Sequence, residues 1–246
     1  MIVDFATFCY AGDAHRLHAP GQLKKQVQSN DYFFDNVLLV YQGVGSGWVD
    51  LDVGYEVRQL IFSQSHFDEI LTKSKLDINK PQYQSPTDTH HNWKNHVVNH
   101  LAAIQQSTAD YIVFADNDCW IGTNTITSWV ELGIEILEGK NDIFIVSPND
   151  GEPERMTQRI SQQMFLVNVE KFRNMDFNQP GWDGNVNIPN GPMPEYHAML
   201  EGRIHHYCVA NGLHRYVLGP DYRYFHHNVI KADGTFDTDY KKLGWT

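Results

Sequence analysis

The chain has 246 residues, of which 41% are hydrophobic and 13% aromatic, and its formal net charge is −11. This content is sufficient for one α/β domain with a sizeable core, and no apolar run is long enough to predict a membrane span. The negative charge argues against a surface built as a whole to bind nucleic acid, although it leaves room for a local basic groove. Three widely spaced cysteines and an amino terminus without a basic signal-peptide start predict a cytoplasmic protein with reduced thiols.

Strand-like apolar runs alternate with helical segments over the first two-thirds of the chain, which predicts an α/β fold with a mostly parallel central sheet. In chain order the predicted elements are a strand at 2–10, a helix at 21–29, strands at 37–41 and 58–62, a mixed helix and loop at 67–89, a helix from 92, a strand at 111–115, a helix at about 123–137 and a strand at 143–146. The helix at 123–137 is predicted from an apolar stripe of Ile126, Trp129, Val130 and Ile134.

The pattern changes in the last third of the chain. A strand is predicted at 164–169, and a loop rich in Gly, Pro and Asn at 178–194. A long helix follows from Glu195 to about Asn211, then short strands at 215–218 and 222–228, and a polar tail at 229–246. No linker divides the chain, so residues 1–228 are predicted to form a single domain.

Two carboxylates directly follow the apolar run Tyr111–Ala115, which is typical of a central strand covered on both faces. Side chains two residues apart in an extended segment point the same way, so Asp116 and Asp118 can converge on one hard cation. Open α/β sheets bind ligands at this edge, which favours a site for a metal ion and a diphosphate. The alternative is structural: a helix N-cap followed by a turn aspartate.

The order of these features resembles the GT-A-type glycosyltransferases, and among them the large family 2 of inverting enzymes. The resemblance spans residues 2–228 and is most specific at 96–118, where an Asn on a helix precedes Asp-Tyr-Ile-Val-Phe-Ala-Asp-Asn-Asp. It implies a Rossmann-like GT-A domain with a nucleotide-sugar half at 1–120 and a smaller acceptor half at 121–228. It also implies transfer of a sugar from a nucleotide-diphosphate sugar to an acceptor hydroxyl.

A divalent cation, Mn²⁺ or Mg²⁺, would stabilise the leaving diphosphate as a Lewis acid. The resemblance makes Asp118 the firmer metal ligand and Asp116 a contact to the ribose or the metal. A late imidazole completes the protein's share of a Mn²⁺ shell, and either His226 or His227 is the candidate. The other paired histidines do not have the spacing of a structural zinc site.

Glu195, at the start of the predicted long helix, is the candidate general base that deprotonates the acceptor hydroxyl. It can instead be an acidic residue favoured by the helix dipole, and Glu201, His197 and Asp183 are the substitutes. Trp182, in the loop at 178–194, can stack on a sugar or can anchor the loop in the core.

Nucleotide recognition is predicted at the end of the first strand and in the loop after it. The candidates are Phe8, Tyr10 and Asp13 for the base, and Arg16 for the diphosphate. The resemblance adds Lys94 and Asn99 on the helix before the Asp-x-Asp as donor contacts, although these residues can equally belong to a solvated helix face.

The predicted acceptor is a saccharide, because an aromatic platform in an acidic chain suits a neutral sugar; a hydroxylated DNA base is the minority option. Two other classes stay open. A sugar-nucleotide nucleotidyltransferase shares the layout but would need a glycine-rich basic loop where residues 11–16 hold one glycine. A carbohydrate-binding module would need no Asp-x-Asp.

Overall fold

The computed structural model describes residues 1–10, 22–42, 52–62, 64–74, 93–117, 119–123, 125–149, 154–157, 163–177 and 200–225. The strands are β1 (Val3–Tyr10), β2 (Asn36–Gln42), β3 (Val57–Phe62), β4 (Tyr111–Ala115), β5 (Trp120–Thr123), β6 (Ile143–Ser147), β7 (Arg155–Thr157), β8 (Met164–Asn168), β9 (His214–Val217) and β10 (Tyr222–Phe225). The helices are α1 (Gln22–Gln28), α2 (Gln64–Lys73), α3 (Trp93–Gln106), α4 (Trp129–Gly139), α5 (Val169–Arg173) and α6 (Leu200–Asn211).

Eight strands form the main sheet in the order β3-β2-β1-β4-β8-β6-β9-β7. Six of them point the same way, whereas β8 and β7 are antiparallel to their neighbours. The remaining two strands, β5 and β10, pair antiparallel in a small second sheet. This architecture confirms the predicted α/β class with a mostly parallel central sheet, and strands from both predicted halves of the domain contribute to it.

The sheet is covered on both faces, which explains why every residue of β4 and β6 is buried. On one face, alternate residues of β1 such as Val3 and Phe5 pack with α1 and α4. On the other, Ala6 and Phe8 pack with α2, α3 and α6. Within the described residues, no helix is long and apolar enough to cross a membrane.

The predicted helix at 123–137 begins later than expected. Residues 120–123 form β5, and Ser128 caps α4 by accepting a hydrogen bond from the backbone N–H of Val130. Ile126, assigned by its spacing to an apolar stripe, lies before the helix and is 100% exposed. The prediction thus extended the helix over residues that precede its cap. It also did not include β5, which pairs with β10, a strand about a hundred residues away. The short β7 and α5 were also not predicted.

The order of the strands in the main sheet reverses between two neighbouring strands, β1 and β4. The chain moves from β1 to β2 to β3 in one direction, then crosses back to β4 on the other side of β1. The strand order therefore reverses between β1 and β4, and open α/β sheets bind ligands beyond the carboxyl ends of the strands at such a point. Asp116 stands directly after β4 at this point.

Candidate active site at the carboxyl edge of the sheet

The turn that follows β4 is held in place by side-chain and backbone hydrogen bonds. The backbone N–H of Asp116 donates to the carbonyl of Gln163 at 2.8 Å, and the N–H of Cys119 donates to the carbonyl of Asp116 at 3.0 Å. From α1, the amide Nε2 of Gln26 donates to the carbonyls of Asp116 at 2.6 Å and Cys119 at 3.1 Å. The backbone on both sides of Asp118 is thus anchored to the scaffold, although Asp118 itself lies outside the described residues.

Three polar atoms are buried around this turn without a hydrogen-bond partner within the described part of the chain: Thr7 Oγ1, Gln26 Oε1 and Asn117 Nδ2. Thr7 is paired in register with Ala115, the residue before Asp116, so the three belong to one region. Buried polar groups in folded proteins are satisfied by protein, water, an ion or a ligand. A cluster of unsatisfied groups at a strand end is therefore typical of a ligand site.

Asn99 presents a fourth case of the same kind. Its side chain is fully buried in α3, and neither its Oδ1 nor its Nδ2 has a partner among the described residues. A solvated helix face, the structural alternative for Asn99, is excluded by this burial. Its role in contacting the donor stays a prediction.

Phe8 is part of the hydrophobic core. Its side chain is fully buried, and its ring packs against His100 with centroids 4.2 Å apart and against Phe114 at 6.1 Å. A ring enclosed on the α3 face of the sheet has no surface left for stacking on a nucleotide base. Strand alternation directs Phe8 into the core between the sheet and α3. The sequence interpretation of this strand end did not take that alternation into account.

The small sheet brings two distant parts of the chain together beside the Asp-x-Asp. Phe225, the last residue of β10, is opposite Trp120, the first residue of β5. Asp118 lies two residues before Trp120, and His226 lies one residue after Phe225. The pairing of β5 with β10 therefore joins the two described strands that adjoin Asp118 and His226 in the sequence.

The position of β10 is fixed by contacts with the main sheet. Asn149, just after β6, receives a hydrogen bond from the backbone N–H of Tyr224 at 3.1 Å and donates its own N–H to the carbonyl of Tyr222 at 2.7 Å. The hydroxyl of Tyr224 donates to Gln163 Oε1 at 2.6 Å. Gln163 is the residue whose carbonyl binds the N–H of Asp116, so β10 and the Asp-x-Asp turn share a common support.

The other predicted site residues fall in two groups. Tyr10 ends β1, Lys94 lies in the first turn of α3, and Glu201 lies in the first turn of α6 and is half-buried. The rest lie outside the described residues: Asp13, Arg16, Asp118, Trp182, Asp183, Glu195, His197, His226 and His227. Within the described residues, no group of three His, Cys, Asp or Glu side chains could hold a metal ion.

Sequence reasoning missed Thr7, Gln26 and Asn117. Thr7 is a polar residue near the end of an apolar strand, and Asn117 is the central residue of the Asp-x-Asp, so both had a recognisable signal. Gln26 had no such signal, because an uncharged residue in a polar helix is expected to be solvent-exposed. Its burial follows from how α1 packs on the sheet, which the sequence pattern does not show.

Cys208, a free cysteine of α6, is fully buried. Burial in α6 raises the pKa of its thiol to about 12. The thiolate is the reactive form of cysteine, and at neutral pH a group with this pKa is almost entirely protonated.

No family model and no curated protein matches the chain. Among solved structures, it is similar to mouse xyloside xylosyltransferase 1 in its apo form, with 11% identity and a TM-score of 0.47 over 89% of this chain and 85% of that chain. Residues 1–349 of S. aureus TarS give 11% identity and a TM-score of 0.46 over 93% of this chain and 61% of that chain. The galactosyltransferase LgtC in complex with donor and acceptor sugar analogues has 12% identity and a TM-score of 0.40 over 72% of this chain and 62% of that chain. These identities and TM-scores are low, and the function proposed below rests on the chain's own residues.

Proposed function

We propose that the protein is a metal-dependent glycosyltransferase that moves a sugar from a nucleotide-diphosphate sugar to an acceptor hydroxyl, with inversion at the anomeric carbon. One observation carries the proposal: two adjacent buried strands, β1 and β4, end side by side at a switch in strand order, and Asp116 follows β4 among unsatisfied buried polar atoms. Open α/β sheets bind ligands at this point.

The residues at this edge suit a hard divalent cation, Mn²⁺ or Mg²⁺. Carboxylate oxygens are the ligands such ions prefer, and Asp116 and Asp118 supply two of them. The pairing of β10 with β5 supports His226 or His227 as a third, because it joins the two strands that adjoin Asp118 and His226 in the sequence. When bound, the cation would stabilise the charge that develops on the departing diphosphate.

The chain's own polar groups would bind and orient the donor. Thr7 Oγ1, both amide atoms of Asn99 and Asn117 Nδ2 are buried and have no partner among the described residues, so hydrogen bonds to a ligand would replace none there. Tyr10, Asp13, Arg16 and Lys94 are proposed to contact the nucleotide and the diphosphate. Gln26 has a positioning role, since it holds the carbonyls on both sides of Asp118.

Glu195 is proposed as the general base, with the loop at 178–194 and Trp182 forming the acceptor site. The support is chain order: that loop and Glu195 lead directly into α6, whose Leu200 and Ile204 pack on the same sheet face as α3. A saccharide is the proposed acceptor. Binding to duplex DNA that falls steeply with salt would instead favour a nucleic-acid acceptor.

A panel of nucleotide sugars with Mn²⁺ tests the proposal. A ligand at a hundred times its Kd stabilises the protein by about 2.7 kcal/mol, which corresponds to a rise in Tm of roughly 5 to 10 °C for a chain of this size. One nucleotide sugar should give this shift, EDTA should remove it, and nucleoside diphosphate should be released when an acceptor saccharide is added. Synthesis of a nucleotide sugar from a nucleoside triphosphate and a sugar phosphate would identify a nucleotidyltransferase. A saccharide shift without metal or turnover would identify a binding module.

A further inference from the structure

A cavity of about 400 Å³ lies beside the last two turns of α3, far from the candidate active site. The end of α3 leads into the start of β4, so the cavity is at the amino edge of the sheet, whereas Asp116 is at the carboxyl edge. The five residues of β4 separate the two levels by about 17 Å. The cavity volume is in the range of small-molecule sites.

The cavity has an apolar floor and a fixed polar wall. Leu101, Ile104 and Phe177 form the floor, and all three are buried. On the wall, the amide Nε2 of Gln105 donates to Ser74 Oγ at 2.6 Å, which joins α3 to the end of α2. This wall of the cavity therefore lies at the contact between α2 and α3.

Two cations, Lys73 and Arg173, line the cavity, and no carboxylate is among the lining residues that the structure describes. This local balance is opposite in sign to the whole chain, which has 30 acidic and 19 basic residues. Arg173 Nη2 donates to the carbonyls of Ile104 at 2.8 Å and Ser107 at 2.9 Å, which fixes the guanidinium and offsets the negative end of the α3 dipole. Its other nitrogens have no acceptor within the described residues, so a planar donor remains for a ligand.

Lys73 is also accessible to a ligand. Its ammonium contacts Glu69 Oε1 at 2.6 Å one helical turn away, and both side chains are more than half exposed. An exposed ion pair of this kind contributes little to stability, so an anion in the cavity competes for the ammonium at small cost.

We propose that this cavity binds a small organic anion, with its carboxylate, phosphate or sulfonate group between Lys73 and Arg173 and an apolar body on Leu101, Ile104 and Phe177. It is a second ligand site, separate from the one that binds the nucleotide sugar. The floor selects for an apolar body, and the two cations select for a negative head group.

The probe for the test is 8-anilino-1-naphthalenesulfonate, an aromatic sulfonate whose fluorescence rises on binding. N-Phenyl-1-naphthylamine, which has the same rings without the sulfonate, is the neutral control. The variants are Lys73→Gln and Arg173→Gln, and Lys171→Gln is the matched control, since Lys171 is an exposed cation of α5 that does not line the cavity. Thermal unfolding of each variant checks that it is folded, which matters most for Arg173→Gln because Arg173 also caps α3.

Saturable binding of one sulfonate probe per chain is expected. Lys73→Gln should weaken it about tenfold through the loss of a charge-assisted contact, and Lys171→Gln should leave it unchanged. A nucleoside diphosphate with Mn²⁺ should not displace the probe. The proposal is overturned if binding is not saturable, if the neutral probe binds equally well, if Lys73→Gln and Lys171→Gln have the same Kd, or if the nucleotide competes.

Discussion

Polar groups at the two edges of the main sheet differ in whether they have hydrogen-bond partners. At the amino edge, three carboxyl groups each accept a hydrogen bond of 2.7 to 2.8 Å from a neighbouring strand or loop: Asp4, Asp35 and Asp110. At the carboxyl edge, buried polar atoms of three residues have no partner within the described chain: Thr7, Gln26 and Asn117. Both sets lie on or beside the same strands, so composition does not explain the difference.

Under the proposed function, the difference separates groups that hold the fold from groups that are available to bind a ligand. A buried polar group without a partner costs about 1 to 3 kcal/mol, so a protein that satisfies one edge and leaves the other unsatisfied gives up stability there. Such a cost is expected at sites that exchange a ligand or an ion for the missing partner. Substitutions at the amino edge should therefore alter stability, and those at the carboxyl edge should alter activity.

The largest effect is expected from the Asp-x-Asp. Asp118→Ala should lower turnover of the nucleotide sugar by at least about a thousandfold, because the metal would lose its firmest ligand. EDTA should have the same effect on the unmodified enzyme, and Mn²⁺ should reverse it. Asp110→Ala is the matched control at the other edge, where an exposed carboxyl group accepts a hydrogen bond from the backbone N–H of Ile2.

Rates of nucleoside diphosphate release and Tm values are compared for the two variants. Asp110→Ala should retain the full rate. Equal loss of rate in both variants, or full activity of Asp118→Ala in the presence of EDTA, would contradict both the metal site and the comparison of the two edges.

The proposed base gives the next largest effect. Glu195→Gln should lower the transfer rate by about two to three powers of ten while leaving the Kd of the nucleotide sugar unchanged, since proton removal helps only the transition state. Glu201→Gln, in the first turn of α6, is the control. Product stereochemistry by NMR checks inversion. If Glu201→Gln shows the large loss and Glu195→Gln does not, the base is Glu201.

Local patterns predicted the fold well where they were sufficient to define it. The run Tyr111–Ala115 is apolar at every position and forms a buried strand, because a strand covered on both faces admits few polar residues. The start of α4 was predicted too early, and β5 was not predicted because it is defined by its register with β10, which periodicity does not contain. Ile126 illustrates the error, being apolar, at helical spacing and fully exposed.

The site was less predictable than the fold, for a physical reason. Asp116 was selected as a candidate because paired carboxylates at a strand end have a known chemistry. Gln26 and Thr7 were missed because their position depends on helix packing and strand register. Phe8 was assigned to the site from its place near a strand end, although strand alternation directs it into the core with His100.

A substitution at Asp4 tests whether the amino edge of the sheet serves stability and not activity. Its carboxyl group is fully buried and accepts hydrogen bonds from Asn36 Nδ2 at 2.8 Å and Ser107 Oγ at 2.7 Å. Asp4→Ala should lower the free energy of unfolding by about 2 to 4 kcal/mol, because two donors lose their acceptor. Denaturant unfolding measures this change, and Asp35→Ala, at an exposed residue, should cost less than about 1 kcal/mol.

The rate per folded molecule should be unchanged in Asp4→Ala at a temperature at which the variant is folded. A loss of rate in the folded variant would show that the amino edge also serves the reaction, and the division between the two edges would then be wrong.

The smallest effect is expected at Thr7, and it bears most directly on the meaning of an unsatisfied group. Thr7→Val keeps the shape of the side chain and removes a buried hydroxyl that has no partner among the described residues. Stability should be unchanged or slightly higher, because no hydrogen bond within the protein is lost. Affinity for the nucleotide sugar should fall about fivefold to tenfold if the hydroxyl binds the donor.

Thr7→Ser, which keeps the hydroxyl and loses a methyl group, should retain affinity at a cost of about 1 kcal/mol in stability. Calorimetric titration and denaturant unfolding of both variants decide the matter: a Val variant with lower stability and unchanged affinity would make the Thr7 hydroxyl a structural group.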